Sequence, residues 1–346
     1  MHMKKKFIAL IAVLSIFPAL FSCNLGKEKI YKDSKIAMDT IVTINIVSNS
    51  KKNARLAASK AFGEIERLSS LINFYSDGSE LSKINRNAGK KPVHVSPETM
   101  DLIKDSIVVA KKSGGAFDPT IGAISVLWDF QKKLIPGKRD ISKRLKLVSY
   151  KNIIINEKKQ TVYLRKKGMM IDLGGIAKGY AADRAIDILS SSGIKAAMVS
   201  VAGDIRAYGL KPDGKPWMVG IRDPRPVSAT ENILAALPLK NMAISTSGDY
   251  QRFFIKDGVR YHHLLIPWTG MPAGGCQSVS VIADKAVITD SFATAVFILG
   301  PEKGMRLLEK MGYGGVIVDY YGRVHITEGI KDKIEIKRPE RKNHSG

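Results

Sequence analysis

The feature that most restricts the fold is a succession of short, β-branched runs over the second half of the chain. They fall at 152–156, 161–165, 169–173, 197–202, 205–210, 217–222, 242–246, 251–256, 259–266 and 278–283, with tight-turn signals such as Asp257-Gly258 between them. Closely spaced short strands pair with antiparallel neighbours, because parallel pairing needs long crossovers. Three segments of helical spacing interrupt them, at 176–191, 290–299 and 303–311. Upstream, "KIAMDTIVTINIV" alternates as a strand, and the segment after it carries Leu56, Phe62, Ile65, Leu68 and Ile72 near helical spacing. "SDGSELSKIN" reads as loop. Ser96-Pro97 supplies an N-cap and a first-turn proline for a second helix, which Gly114-Gly115 ends. The basic segment 125–150 has no clear pattern, and no repeat is visible. The sum predicts an α+β fold of mostly antiparallel sheets flanked by helices.

A chain of 346 residues has material for one large domain or two lobes. Its net charge of +23 comes from Lys and Arg spread along the chain, denser at 131–151 and 331–342. They form no stripe interleaved with aromatics and match no nucleic-acid module, so nucleic acid is not expected as a partner. Anionic lipid or an anionic ligand fits the charge better. The N-terminus has Lys4, Lys5 and Lys6 before an apolar run from Phe7 to Leu20, too short to span a bilayer comfortably. The expectation is a signal peptide over 1–22, ending in a lipobox-like Leu20-Phe21-Ser22-Cys23, with Cys23 lipidated or, alternatively, incidental to an ordinary secretory signal. A tether over 23–33 and a basic, disordered tail over 331–346 bracket the folded part, 34–330. Cys276 is the only other cysteine, so acylation of Cys23 excludes an intrachain disulfide, and Cys276 is read as a thiol without a role.

Several constellations carry chemistry. In "GMMIDLGGIAKGYAADRAIDILSSSG" an apolar strand meets a helix at Asp172, Gly174, Gly175 and Lys178. The first amides of such a helix receive anions, the glycines admit close approach, and the lysine adds positive charge. Equally, Asp172 caps a tight turn and Lys178 is solvated. In "VITDSFATAVFILGP", Asp290 and Thr294 are four apart on one helical face. They suit a hard cation that takes a few protein oxygens, or else Thr289 or Asp290 is simply the N-cap. His262 and His263 are adjacent in a strand, so only one enters any given cleft. "SVAGDIRAYG" and "AISTSGDYQRFF" are strand–turn–strand units rich in small polar groups, Asp204 and Ser247 among them, and "GGAFDPT" is a helix exit bearing Phe117 and Asp118.

Taken in order, "AMDTIVTI", "SELSKIN", "GGAFDPT", "IDLGGIAKGYAADRA", "AGDIRAYG", "STSGDYQRFF", "HHLL" before "TGMPA", and "SVSVIADKAVITDSFATAVFILG" resemble the FAD:protein FMN transferases, the ApbE-type lipoproteins. The likeness spans about residues 35–320. It implies a two-lobed, T-fold-like domain that binds FAD between its lobes. With Mg²⁺ such enzymes pass FMN to a threonine of an exported or membrane target, often a redox-pump subunit, and release AMP. Some relatives instead hydrolyse FAD to FMN and AMP, and a non-catalytic flavin-binding lipoprotein is a third possibility. By position, the resemblance puts flavin contacts on Met38, Tyr75, Ala116, Phe117, Asp118, Asp172, Lys178 and His263. It puts metal ligands on Asp290, Thr294 and the carbonyl of Gly175. A threonine acceptor benefits from a base, a role assigned here to His263, which alternatively only positions the substrate, so the catalytic set is Lys178, His263 and Asp290. The implied location is the periplasmic face of a bacterial inner membrane, held by lipid at Cys23. The chain departs from the family at Ile266, where an Asp is usual, and at Met38-Asp39-Thr40, where Met-Gly-Thr is common.

Overall fold

In the computed structural model, which describes residues 27–226 and 232–337, alternation in the first segments produces a hairpin. Strand β1 (Lys29–Ala37) pairs with β2 (Thr40–Ser48) in register from Lys29↔Ser48 to Ala37↔Thr40. Helix α1 (Lys51–Ile72) follows, its N-cap Ser50 accepting the Asn53 N–H. It buries Ala54, Ala58, Phe62, Ile65 and Leu68, whereas Leu56 lies on the exposed side.

The chain then runs through α2 (Glu80–Arg86), β3 (Val93–His94), α3 (Pro97–Lys112), α4 (Gly122–Ser125), α5 (Lys138–Leu145), β4 (Ile153–Asn156) and β5 (Thr161–Leu164). Next come α6 (Ala177–Ser191), β6 (Ala196–Val201), β7 (Asp204–Tyr208), β8 (Trp217–Arg222), β9 (Ile233–Leu239), β10 (Ala243–Gly248), β11 (Phe253–Lys256) and β12 (Val259–His262). The described part closes with β13 (Cys276–Ala283), α7 (Ala286–Leu299), α8 (Pro301–Met311), β14 (Gly314–Asp319), β15 (Val324–Ile326) and β16 (Glu335–Ile336).

An eight-stranded antiparallel sheet, β1-β2-β6-β7-β10-β13-β14-β15, is the centre of the molecule. Helices α1 and α6 cover one face through Val42, Ile44, Phe62, Ile65, Ala182 and Val199. The sheet β16-β9-β8 covers the other through Trp217, Val219, Leu237, Ile244 and Val318. A third sheet, β3-β5-β4, packs with α2, α3 and α7 around Ile103, Val162, Ile171, Phe292 and Phe297. Mixed helix and antiparallel sheet is the predicted class.

Several expectations need correction. "SELSKIN" is helix α2, not loop: Ser79 caps it by accepting the Ser82 N–H. The run 169–173 is extended but forms no ladder strand, only a bridge from Met170 to Ile121. Its backbone bonds go elsewhere, as Asn85 receives the Ile171 N–H at 2.7 Å and donates to the Ile171 carbonyl at 2.9 Å. The tether is shorter than expected, because β1 starts at Lys29. Residues 331–337 belong to the folded part rather than a tail, because β16 pairs with β9 and the Lys337 N–H reaches the Leu234 carbonyl at 2.9 Å. Helix α7 starts at Ala286, four residues before Asp290, so neither Thr289 nor Asp290 is its N-cap. Strand β9, which contains Pro238, and β14, which opens with Gly314-Gly315, were hidden by residues that usually break strands. Residues 1–22, the Cys23 site and 338–346 lie outside the described residues. Among the described residues no helix is long and apolar enough to cross a membrane. Burial in β13 pushes the free Cys276 thiol up to about 12, so it is held as an inert thiol.

The β1–β2 turn resolves one departure. Met38 and Asp39 both sit at positive φ, 53° and 57°, as a two-residue type I′ turn requires. Aspartate tolerates that region better than most residues, so Asp39 keeps the turn that glycine makes more cheaply. Asp39→Gly is therefore expected to raise unfolding stability by up to about 1 kcal/mol with the fold unchanged. A lower melting temperature in that variant would contradict the turn assignment.

Candidate active site

Two helices that hold each other's ends build the centre of the site. The carboxylate of Asp183, on α6, accepts the Ala286 and Val287 N–H groups at 2.9 Å each, capping α7 from outside its own chain segment. In return Asp290, on α7, accepts the Gly179 N–H in the first turn of α6 at 3.0 Å. Such close approach needs Gly179: an added Cβ would lie 2.1 Å from the Ala286 carbonyl oxygen and 2.8 Å from Asp290 Cβ. The sequence suggested that the first amides of α6 receive a ligand anion. At least one of them is committed to Asp290 instead.

The other Asp290 oxygen faces Lys178, whose Nζ lies 3.4 Å from Asp290 Oδ1 and 2.8 Å from Asp204 Oδ2. Asp204 opens β7, just after a turn in which Ala202 and Gly203 both have positive φ. Burial alone pushes the Lys178 ammonium down, but the Asp204 and Asp290 carboxylates outweigh it and keep the group charged. Burial, with Asp204 beside it, pushes Asp290 above the ordinary carboxylate range, and Lys178 offsets only part of this. Two buried carboxylates thus share one ammonium. The surplus negative charge is a standing attraction for a cation.

This cluster opens on a cavity of about 860 Å³ that collects nearly every residue singled out in the sequence. Met38, Tyr75, Ala116, Phe117, Asp118, Asp172, Gly175, Lys178, His263, Asp290 and Thr294 all line it. Their functions in the fold differ. Tyr75 is 79% exposed, sits edge-on to Phe74 and presents a ring at the mouth. Asp118 is buried and spends its carboxylate on the Thr120 N–H and hydroxyl and on the Tyr150 N–H, which fixes the loop around Phe117. Asp172 accepts the Gly174 N–H at 2.9 Å and the Ser125 hydroxyl at 3.1 Å, so it shapes the glycine turn. Gly175 lies against Phe117 and Thr294: a Cβ there would come 3.2 Å from both the Phe117 ring and Thr294 Oγ1. Ser247 Oγ is 3.3 Å from Thr294 Oγ1, which adds a second hydroxyl.

The two histidines divide as their adjacency predicts. His262 is buried, and its Nε2 donates to the Ala273 carbonyl at 2.7 Å while Nδ1 accepts the Leu264 N–H. His263 lines the cavity. Its Nδ1 donates to the Arg252 carbonyl at 3.3 Å, leaving Nε2 as an acceptor. Burial, and then the neighbouring His262, push the His263 imidazole down to about 4, so it is neutral at physiological pH. Ile266 packs against the core, and its turn closes through the Gly270 N–H to the Ile266 carbonyl at 2.7 Å. The loop does not need an aspartate there to fold.

Comparison with known proteins decides the family. The ApbE family model matches residues 38–317. The chain belongs to the ApbE family. A FAD:protein FMN transferase of Treponema pallidum is 31% identical over 335 residues, covering 91% of this chain and 92% of that one. One from Klebsiella pneumoniae is 30% identical over 289 residues, 83% of this chain and 88% of its own. Among solved structures, the ApbE protein of Thermotoga maritima superposes with a TM-score of 0.82 at 36% identity, covering 88% of this chain and 99% of that one. The flavin transferase ApbE of Vibrio cholerae gives 0.79 at 26%, with 88% and 99% covered. Within this ApbE chain, sequence reasoning missed Asp183 and the Lys178 contact of Asp204. The one available signal was that each is an acid within a motif that carries the resemblance.

Two tests follow from the packing. Gly179→Ala drives α6 from α7 and is expected to cost about 1–3 kcal/mol of stability, read by denaturant unfolding; an unchanged midpoint would refute the close approach. His262 and His263 titrate near 6.5 when unfolded but are depressed in the fold, so the folded state binds fewer protons. Their contribution is complete above about pH 6.5 and is lost as pH falls towards 4. Asp118 and Asp183, raised by burial, act in the opposite sense, so the reading is a difference between variants. His263→Gln is expected to lose less melting temperature between pH 7 and 5 than the wild type. Equal losses would show that His263 is not buried neutral.

Proposed function

We propose that this chain is a FAD:protein FMN transferase that needs Mg²⁺. The observation that carries the reading is the buried Lys178–Asp204–Asp290 cluster opening beside Gly175 and Thr294 into a cavity of dinucleotide-binding size, in a chain of the ApbE family. The donors fit Mg²⁺. Among the described residues no three acidic, histidine or cysteine groups gather to hold a metal by themselves. What is present is one carboxylate at Asp290, hydroxyls at Thr294 and Ser247, and the Gly175 backbone, a sparse oxygen set of the kind Mg²⁺ completes with water and phosphate. Asp290, Thr294 and the Gly175 carbonyl would hold it, and bound there it would neutralise developing phosphate charge as a Lewis acid.

The protein's own groups do the rest. Lys178, kept charged by two carboxylates, sits against the negative phosphates. The acceptor threonine's Oγ attacks the FMN phosphorus and forms the new P–O bond. The bond from that phosphorus to the bridging oxygen breaks, and AMP leaves with the oxygen. His263, neutral and with Nε2 free to accept, takes the threonine proton. Phe117, Met38 and Tyr75 offer apolar and aromatic surface to the flavin and adenine rings. Acceptors are exported or membrane proteins such as redox-pump subunits, and Cys23 carries the lipid that holds the enzyme on the outer face of the inner membrane.

The test is incubation with FAD, Mg²⁺ and an acceptor protein, read by the acceptor's mass and by chromatography of the nucleotides. A covalent FMN adduct with one AMP released per adduct is expected, and EDTA abolishes it. Free FMN and AMP without an adduct would overturn transfer in favour of hydrolysis. Asp290→Asn keeps an acceptor for the Gly179 N–H, unlike Asp290→Ala, and is expected to lose about 10²–10³-fold in rate while staying folded. His263→Gln is expected to lose about 10²-fold or more. Near-normal transfer by either variant would remove that residue from the chemistry.

A further inference from the structure

The cavity has a feature that the transfer chemistry leaves unused: a stretch of open strand edge. β10 pairs with β13 along its whole length, from Ala243↔Ala283 to Gly248↔Ser278. On its other side it pairs with β7 only at Ala243↔Arg206 and Ile244↔Ile205. There β7 stops, because the chain has come out of the Ala202-Gly203 turn from β6. Among the described residues, Thr246 to Gly248 therefore have no strand neighbour on that side, and the Gly248 carbonyl there accepts the Gln251 N–H at 3.4 Å, which leaves Thr246 as the opening.

Strand alternation identifies the groups left open. The Met242 carbonyl accepts the Ala207 N–H at 2.8 Å on the β7 side, whereas the Asp249 N–H reaches the Gln277 carbonyl at 3.1 Å on the β13 side. Even-numbered residues here thus direct N–H and C=O towards β7, and odd-numbered residues towards β13. Thr246 faces the gap. Its carbonyl is met by a side chain, Gln251 Nε2 at 2.9 Å, where a strand would otherwise be. Thr246, Ser247 and Gln251 all line the cavity, and Ser247 leads directly to Thr294.

We propose that this edge seats the acceptor: an extended segment of the acceptor protein displaces the Gln251 carboxamide and pairs main chain to main chain with Thr246. The inference rests on the transferase reading above. A polypeptide is the occupant that matches a peptide N–H and C=O presented together, and strand addition to an open edge is a recurrent way of binding one. The β6–β7 turn does not crowd the gap: a Cβ added at Gly203 would meet nothing within 4 Å. The line of the edge also delivers the segment to the right place. Thr246 adjoins Ser247, which contacts Thr294, so a threonine within a residue or two of the paired position, at about 3.3 Å per residue, reaches the phosphate-handling groups. Gln251 meanwhile closes the edge when no acceptor is bound, which protects an open strand from unwanted pairing.

The experiment uses the full chain, FAD, Mg²⁺, an acceptor protein whose flavinylated threonine has been mapped by mass spectrometry, and a 12-residue synthetic peptide around that threonine. Peptides N-methylated at one amide at a time test the pairing. Loss of kcat/KM by about 3- to 10-fold at a single amide, the one that donates to the Thr246 carbonyl, with its neighbours neutral, is expected for pairing at Thr246. Gln251→Ala is expected to lower the KM for the acceptor by about 3-fold or more while the Kd for FAD stays within about 2-fold, because a competing side chain has been removed. N-methylation that is neutral at every amide or costs the same at neighbouring ones, or a Gln251→Ala variant that weakens FAD and leaves the acceptor KM unmoved, overturns the proposal. Wild-type transfer is measured first. Its absence would sink the transferase reading and this inference with it, whereas transfer without the single sensitive amide sinks the inference alone.

Discussion

Everything in the site depends on the reciprocal grip of α6 and α7. Each helix ends in backbone N–H groups that need an acceptor, and each receives a carboxylate from the other: Asp183 to the start of α7, Asp290 to the start of α6. A carboxylate at a helix N-terminus is favourable by itself. Here the same bonds fix the spacing between the helices, and Gly179 makes that spacing short enough. Lys178 is then set one residue before Gly179 and points at Asp290, and Asp204 joins them from β7.

The electrostatic state of the cluster follows from that packing. Burying two carboxylates with one ammonium costs desolvation that the pairing does not fully offset, and the consequence is visible in Asp290, whose proton affinity is raised. A fold that keeps such an imbalance keeps a place that favours a cation. His263 works the other way. Burial removes its charge, leaving a neutral imidazole whose Nδ1 is tied to the Arg252 carbonyl and whose Nε2 is an acceptor. The cavity is thus polarised by its walls before any ligand arrives.

Much of this was legible in the sequence, for identifiable reasons. Helix α3 has a serine cap, a first-turn proline and a double-glycine exit, and it forms where those signals place it. The Asp257-Gly258 pair makes the β11–β12 turn, both residues at positive φ. His262 and His263 separate to opposite sides because side chains alternate along a strand. Other readings failed where a distant partner overrode a local preference. Asp290 looks like a cap because acids cap helices, and it is one, but for the wrong helix. The run 169–173 looks like a strand, yet the side chain of Asn85 takes the place of a neighbouring strand.

The sequence by itself determined the alternation of elements, the hairpins, the family and the residue types of the site, because these depend on local spacing and on order along the chain. It could not determine that Asp204 joins Lys178, that Asp183 belongs to the start of α7, or that Thr246 has an open edge. Those facts require residues up to about a hundred positions apart to meet, as Asp183 and Ala286 do across 103. Only the closed packing of sheet and helices fixes which distant groups share a buried space. Burial, in turn, sets the charge state of Lys178, Asp290 and His263, so their chemistry was decided by the tertiary structure.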